Sequence, residues 1–236
     1  MRSIYPIIRP PRLTESGVWG RPTDLNNVET WCNIPVIMTK GAEWYSGIGT
    51  RGNTGTKVFS LVGKVDNPGM VEVPLGTPLH QIIYDIGGGG AGGKPVKAVQ
   101  TGGPSGGCIP ERLFDTGVDF ESLLEMGSMM GSGGLVVMDE DTDMVDIARY
   151  FITFAASESC GKCVPCREGL KHTLLLLNKI TAKKAGTKDL ILLADLCDTI
   201  KVTSLCGLGQ TAINPVQTTL KYFRDEYDAL IVQDNL

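Results

Sequence analysis

Three cysteines fall within seven residues at Cys160-Gly161-Lys162-Cys163-Val164-Pro165-Cys166. This C-x2-C-x2-C spacing lets one tight loop offer three thiolates to three corners of an iron–sulfur cube. The chain holds seven cysteines in all, an odd number, and so dense a triplet suits a metal site in a reducing compartment better than a disulfide framework. One corner remains to be filled. Two-cluster ferredoxins carry a further cysteine a few residues on, but Arg167-Glu168-Gly169-Leu170 has none, so the fourth ligand must come from a distant segment.

The candidates are Cys197 and Cys206. Cys197 lies in the apolar run Leu190-Ile191-Leu192-Leu193-Ala194-Asp195-Leu196-Cys197, where a buried free thiol behaves as a small hydrophobe. Cys206 lies in Ser204-Leu205-Cys206-Gly207-Leu208-Gly209, read as a glycine-containing loop between helices that can turn a thiolate inward. The favoured set is therefore Cys160, Cys163, Cys166 and Cys206 around one [4Fe–4S] cluster. Gly161, Gly207 and Gly209 would let backbone amides approach the sulfurs. Lys162 and Arg167 either offset the negative charge of such a site or are simply solvated. A structural four-cysteine zinc site, which prefers two separated C-x2-C pairs, fits the triplet poorly. A dithiol redox pair at Cys163 and Cys166 leaves Cys160 without a role.

Periodicity divides the 236 residues into three parts and predicts an α+β chain. Residues 1–53 are rich in Pro, Gly, Thr and Asn and read as an extended linker segment, with Pro10-Pro11 and Pro22 favouring extended backbone and one apolar patch at Val28 to Met38. Residues 54–138 alternate as a small sheet domain. A hairpin runs from Lys57-Val58-Phe59-Ser60-Leu61-Val62-Gly63-Lys64 through Asn67-Pro68-Gly69 to Met70-Val71-Glu72-Val73-Pro74. A helix follows with Leu79, Ile82, Ile83 and Ile86 on one face, then strands at Val96 to Thr101 and Leu135 to Met138, an order of β-grasp character. Residues 139–236 read as a four-helix bundle that carries the cluster. Its helices contain Met144 to Phe154, Leu170 to Ile180, Asp189 to Ile200 and Pro215 to Leu230, with N-cap residues among Asp139 to Asp143.

The formal charge of -4 and the scattered Lys and Arg offer no basic stripe for a phosphate backbone, which excludes nucleic acid as an expected partner. No apolar run approaches the roughly 18 residues needed to span a bilayer, so direct membrane insertion is not expected and the location is read as cytoplasmic. Gly87, Gly89 and Gly92 match G-x-G-x-x-G, but a helix precedes and a strand follows, the reverse of a dinucleotide cradle. Gly103-Pro104-Ser105-Gly106-Gly107 matches G-x-S-x-G without a helix after it, and Cys108-Ile109-Pro110 is read as continuing loop.

These residues resemble the NADH-binding flavoprotein subunit (51-kilodalton type) of NADH:quinone oxidoreductase, complex I. They resemble equally the related subunits of NAD(P)-linked and electron-bifurcating hydrogenases and formate dehydrogenases. Three segments carry the likeness: Gly17-Val18-Trp19-Gly20-Arg21-Pro22-Thr23-Asp24-Leu25-Asn26-Asn27-Val28-Glu29-Thr30, the cysteine loop Glu158 to Gly169, and Ser204 to Gly209. The resemblance implies a soluble-ligand-binding β-grasp domain, supports Cys206 over Cys197, and implies an electron-transfer module that takes single electrons from FMN to further clusters. It also implies that Asn26, Asn27 and Thr30 lie against the flavin. Read from the residues alone, the same Asn-Asn pair would cap a helix at Val28. Family members carry an FMN- and NAD(H)-binding half ahead of this region, and nothing in Met1 to Ser16 replaces it. The expectation is thus the C-terminal half of such a subunit, either a fragment or a split gene product, not expected to oxidise NADH alone. Its implied partners are the missing flavin domain, a thioredoxin-like [2Fe–2S] subunit and a cluster-rich acceptor subunit, in a complex that would stand at the inner face of the membrane. The alternative is a non-catalytic partner-binding module with a structural zinc site.

Overall fold

The computed structural model describes residues 11–232; the stretches 1–10 and 233–236, at the outer ends of the first and last expected parts, lie outside the described residues. The first part is not extended throughout. Helix α1 (Val28–Lys40) and the short α2 (Ala42–Ser46) occupy it, with Asn27 capping α1 by accepting a hydrogen bond from the Glu29 N–H at 2.9 Å. Of the Asn-Asn pair it is Asn27 that caps a helix at Val28, as the residues alone suggest. Pro35 inside α1 obscures its periodicity in the sequence. No residue of α1 or α2 is buried, and Val28 and Met38 stand 74% and 80% exposed, so no amphipathic burial signal announces these helices.

Strands β1 (Thr56–Gly63) and β2 (Gly69–Pro74) form the expected hairpin. After them come a π-helical turn at Gln81–Ile86, strands β3 (Val96–Thr101) and β4 (Cys108–Pro110), a short α3 (Phe120–Glu125) and β5 (Gly134–Asp139). The sheet order is β2-β1-β5-β3-β4, with β1 and β5 parallel and the other pairs antiparallel. Its inward face packs Phe59, Leu61, Val99, Leu135 and Val137 against Leu79, Ile82 and Ile83. The wider winding of the π turn swings Ile86 off this face, leaving it 43% exposed. The stretch read as loop at Cys108 to Pro110 is instead the edge strand, short and fully buried, paired with β3.

The C-terminal part holds α4 (Met144–Glu158), α5 (Val164–Thr181), α6 (Thr187–Thr203), α7 (Gly207–Thr211), α8 (Asn214–Tyr222) and α9 (Arg224–Asp228). The last expected helix is broken in two at Phe223, whose φ of -130° and ψ of 39° leave the helical region. Val145, Ile152, Leu170, Leu177, Leu193, Ile200 and Tyr227 form a second core. At Gly169 an added Cβ would meet Ile200 Cγ1 at 2.6 Å, so α5 and α6 approach as closely as a missing side chain permits.

Helix α8 ties the bundle to the sheet. Thr218 Oγ1 accepts from the Cys108 N–H at 2.9 Å, Asn214 donates to the Ser105 carbonyl at 2.8 Å, and Tyr222 donates to the Met126 carbonyl at 3.1 Å. Glu226 of α9 adds an ion pair to Lys97 at 2.8 Å and accepts from the Met144 N–H at 2.9 Å. Among the described residues no helix is long and apolar enough to cross a membrane.

The N-cap of α4 is Asp143, whose carboxylate accepts from the Asp146 N–H at 2.9 Å. Asp143→Ala removes that acceptor and is expected to cost about 1 kcal/mol. Thermal unfolding followed by circular dichroism should show a midpoint lowered by about 2–4 °C for a chain of this size; an unchanged midpoint would mean that the cap contributes nothing.

Candidate metal centre

Two backbone elements bring the sequence-selected cysteines together. The loop after α4 carries Cys160 and turns at Gly161, whose φ of +77° lies in the left-handed region that glycine tolerates. Cys163 then stands at the N-cap of α5 and Cys166 lies in its first turn, with Pro165 in between, where a missing N–H costs no helical hydrogen bond. Arg167 closes the loop from inside by donating from Nη1 to the Gly161 carbonyl, and its Nε pairs with Glu168 at 3.0 Å. Lys162 is exposed.

The second element is the turn from Ser204 to Gly209. Cys206 lies not in an open loop but at the N-cap of the short α7. Both Cys163 and Cys206 thus sit where the first N–H groups of a helix lack intrahelical acceptors. Gly209 lets α7 close on α5: a Cβ there would meet Cys166 Cβ at 3.1 Å and Ser204 Cβ at 2.6 Å, and would collide with Ser204 Oγ. Gln210 holds the turn by donating from Nε2 to the Ser204 carbonyl at 3.0 Å.

The electrostatics join the two elements. Burial raises the Cys163 thiol, but the backbone N–H groups of Leu205, Cys166 and Cys163 face its sulfur, and these with the Arg167 charge bring it below the ordinary thiol range. Leu205 belongs to the second element, so its N–H links the segments directly. Burial raises the Cys166 thiol; Ser159 Oγ, 3.3 Å from its sulfur, opposes this, and the charges of Cys163, Cys206 and Cys160 add to the rise. Cys166 therefore lies within electrostatic reach of the other three selected cysteines. Cys160 and Cys206 are exposed, Cys163 half-buried and Cys166 buried.

Cys197 is not part of this group. It is fully buried in the bundle core beside Leu193 and Ile200, and burial, with a small contribution from Asp198, pushes its thiol up to about 12. Cys108, buried in β4 under α8, is pushed up to about 12 by burial alone, and Cys32 stands exposed on α1. Among the described residues no group of three or more His, Cys, Asp or Glu closes to the spacing of a single-ion cage. A cube asks for something different, because each of its four thiolates binds its own iron. The chemistry of the donor set fits such a cube: four thiols, one already lowered, with backbone N–H groups facing its sulfur. A buried Ser204 hydroxyl with no hydrogen-bond partner lies at the same place.

The residues expected against a flavin lie elsewhere. Asn27 and Thr30 line a cleft of about 450 Å³ between α1 and the sheet, whereas Asn26 is exposed and donates to Asp24 at 3.2 Å. Sequence reasoning missed Glu29, which anchors this edge. It accepts from the Val58 N–H at 2.6 Å and pairs with Lys57, a lysine held on the buried face of β1 beside Phe59 and Leu61. The inward position of Lys57 in the strand alternation is the signal that could have pointed to a carboxylate partner.

Residues 146–230 match the model of the NADH-ubiquinone oxidoreductase-F iron–sulfur binding region, and residues 58–109 match the SLBB domain. The first match spans the segment that carries Cys160, Cys163, Cys166 and Cys206. The NADP-reducing hydrogenase subunit HndC of Solidesulfovibrio fructosivorans is 52% identical over 224 residues, 95% of this chain and 46% of that protein. A subunit of the NADH-quinone oxidoreductase of Escherichia coli K12 is 37% identical over 233 residues, 98% of this chain and 52% of that protein. A chain of the NAD+-reducing [NiFe]-hydrogenase, solved in the H2-reduced state, superposes with a TM-score of 0.84 at 34% identity, covering 97% of this chain and 38% of its own length. The chain thus spans about half the length of the curated relatives it matches.

The cysteine environments predict a labelling pattern. At pH 8 a thiol raised to about 12 is ionised to only about one part in ten thousand, so iodoacetamide should leave Cys108 and Cys197 untouched in the folded, metal-free chain. Cys32, Cys160 and Cys206 should react, and denaturant should release the other two. Peptide mapping that finds Cys197 modified as fast as Cys206 in the native state would contradict the burial described here.

Proposed function

We propose that this chain is the electron-transfer module of an NAD(P)H:FMN-linked oxidoreductase complex and holds one [4Fe–4S] cluster through Cys160, Cys163, Cys166 and Cys206. The observation that carries this reading is the gathering of these four thiols where the start of α5 meets the start of α7, within the matched iron–sulfur region. A bound cluster of this kind supplies one-electron oxidation and reduction. The chain's own part is to hold thiolates in place and to shape their surroundings. The N–H groups of Leu205 and Cys166 favour the charged form of Cys163, Arg167 fixes the loop, and the buried Cys166 side excludes water. The exposure of Cys160 and Cys206 leaves one side of the site open to a second redox protein.

The finer architecture belongs to the same reading. Residues 1–53 are a linker remaining from a flavin domain, 54–138 a β-grasp domain, and 139–236 a four-helix bundle of α4, α5, α6 and α8 with α7 carrying the fourth ligand. A flavin domain would lie over α1 and the turn before it, where Trp19, Leu25, Val28 and Met38 are 74% to 93% exposed, and Asn27 and Thr30 would approach the flavin with Asn26 beside them. A thioredoxin-like [2Fe–2S] subunit and a cluster-rich acceptor subunit would be the redox partners, the assembly standing at the inner face of the membrane. FMN and NAD(H) belong to the complete subunit, so this chain alone should not oxidise NADH.

Anaerobic reconstitution with iron and sulfide, followed by EPR of the reduced chain, tests the reading. Four irons and four sulfides per chain with a single S = 1/2 signal are expected for one cube. One equivalent of zinc with no iron uptake would overturn it in favour of a structural site. Cys206→Ser should lose or convert the cluster, whereas Cys197→Ser should leave it intact; the reverse pattern would remove Cys206 from the ligand set.

A further inference from the structure

Ser204 has a side chain without a function in the fold. Its residue is 5% exposed, and its hydroxyl is buried with no hydrogen-bond partner. A buried hydroxyl left unpaired is destabilising, so a position that keeps one calls for an acceptor not supplied by the chain. The backbone around it is fully satisfied: the Ser204 N–H donates to the Ile200 carbonyl at 3.1 Å and its carbonyl accepts from Gln210 at 3.0 Å. Only the hydroxyl is idle.

Its position says what the acceptor is. Ser204 Oγ and Cys166 Cβ flank the same point, the place where a side chain on Gly209 would stand. The hydroxyl therefore lies on the Cys166 side of the proposed cluster site, two residues before Cys206. The hydroxyl of Ser159, by contrast, is already engaged at 3.3 Å from Cys166 Sγ and accepts from the Gly161 N–H at 3.3 Å. Gln100 Oε1, the other unpaired buried side-chain atom among the described residues, belongs to an amide whose nitrogen already donates to Thr101 and Gly103. Among the described residues, Ser204 is thus the buried side chain at the site with its whole hydrogen-bonding capacity unused.

Resting on the reading of Cys160, Cys163, Cys166 and Cys206 as ligands, we infer that Ser204 is a positioning residue whose O–H donates to the sulfur shell of the cluster and raises its reduction potential. A hydrogen bond to a cluster sulfur draws off negative charge, and the reduced state carries one electron more, so the donor stabilises reduction.

The test compares the full chain with Ser204→Ala after anaerobic iron and sulfide reconstitution. Ser204→Ala should bind the same iron and sulfide, and its EPR-monitored midpoint potential should shift to more negative values. The metal-free variant should melt at the same temperature as the parent or higher, because no hydrogen bond within the chain is lost; a lowered melting temperature with an unmoved potential would assign the hydroxyl to packing and overturn the inference. Equal potentials in two fully loaded proteins overturn the inference alone. Failure of the parent chain to assemble any cluster overturns the ligand reading and this inference with it. Should Ser204→Ala alone fail to load, Ser204→Thr, which keeps the hydroxyl, decides: loading at the parent's potential supports a donated O–H, and failure to load or a potential shifted to more negative values overturns it.

Discussion

The site depends on one backbone contact, the Leu205 N–H facing the sulfur of Cys163. It is the point where the loop after α4 and the turn after α6, far apart in the chain, commit to each other. The contact needs α7 to lie against the first turn of α5, and that approach is possible only because position 209 has no side chain to strike Cys166 and Ser204. The N–H groups of Leu205, Cys166 and Cys163 then face the Cys163 sulfur. Sulfur, amide and glycine together make a pocket suited to negative charge.

The same economy of side chains holds the bundle itself. Gly169 lets α5 close on Ile200 of α6, one helical turn from the cysteines, and Thr173 on the next turn satisfies its hydroxyl by donating to the Gly169 carbonyl at 2.9 Å. Helix α8 repeats the device against the sheet, where Thr218 Cγ2 sits 2.6 Å from the point a Gly107 side chain would occupy while its Oγ1 takes the edge-strand N–H of Cys108. A short edge strand covered by a helix is also protected from pairing with other chains. The two cores are thereby fastened to each other through the polar contacts of α8.

The N-terminal part follows a different logic. Helix α1 buries nothing of its own, and its position rests on the Asn27 cap, the Glu29 contacts to Lys57 and Val58, and a 3.3 Å bond from Asn27 to Ser132. An element anchored by polar contacts at one end, with apolar side chains turned outward, is built as a contact surface rather than as core.

Much of this was legible beforehand. The hairpin, β3, β5 and the helices α4, α5 and α6 follow from period-2 and period-3.6 patterns that tertiary packing did not override, and the Asp143 cap follows from its place before the first apolar residue. Of helix α1 only the start was legible, in the Asn-Asn pair before Val28; its extent was not, because Pro35 breaks the pattern and its apolar side chains do not repeat against a core. Strand β4 was hidden by its three-residue length beside glycines, and the break at Phe223 has no Gly or Pro to signal it. The sequence alone determined which chemistry is available, since three cysteines two residues apart constrain a loop whatever surrounds it. Only the tertiary structure decided where the two remaining candidates stand, because both are within reach along the chain: packing drives the Cys197 thiol into an apolar core, while a glycine-bounded turn brings Cys206 within electrostatic reach of Cys166.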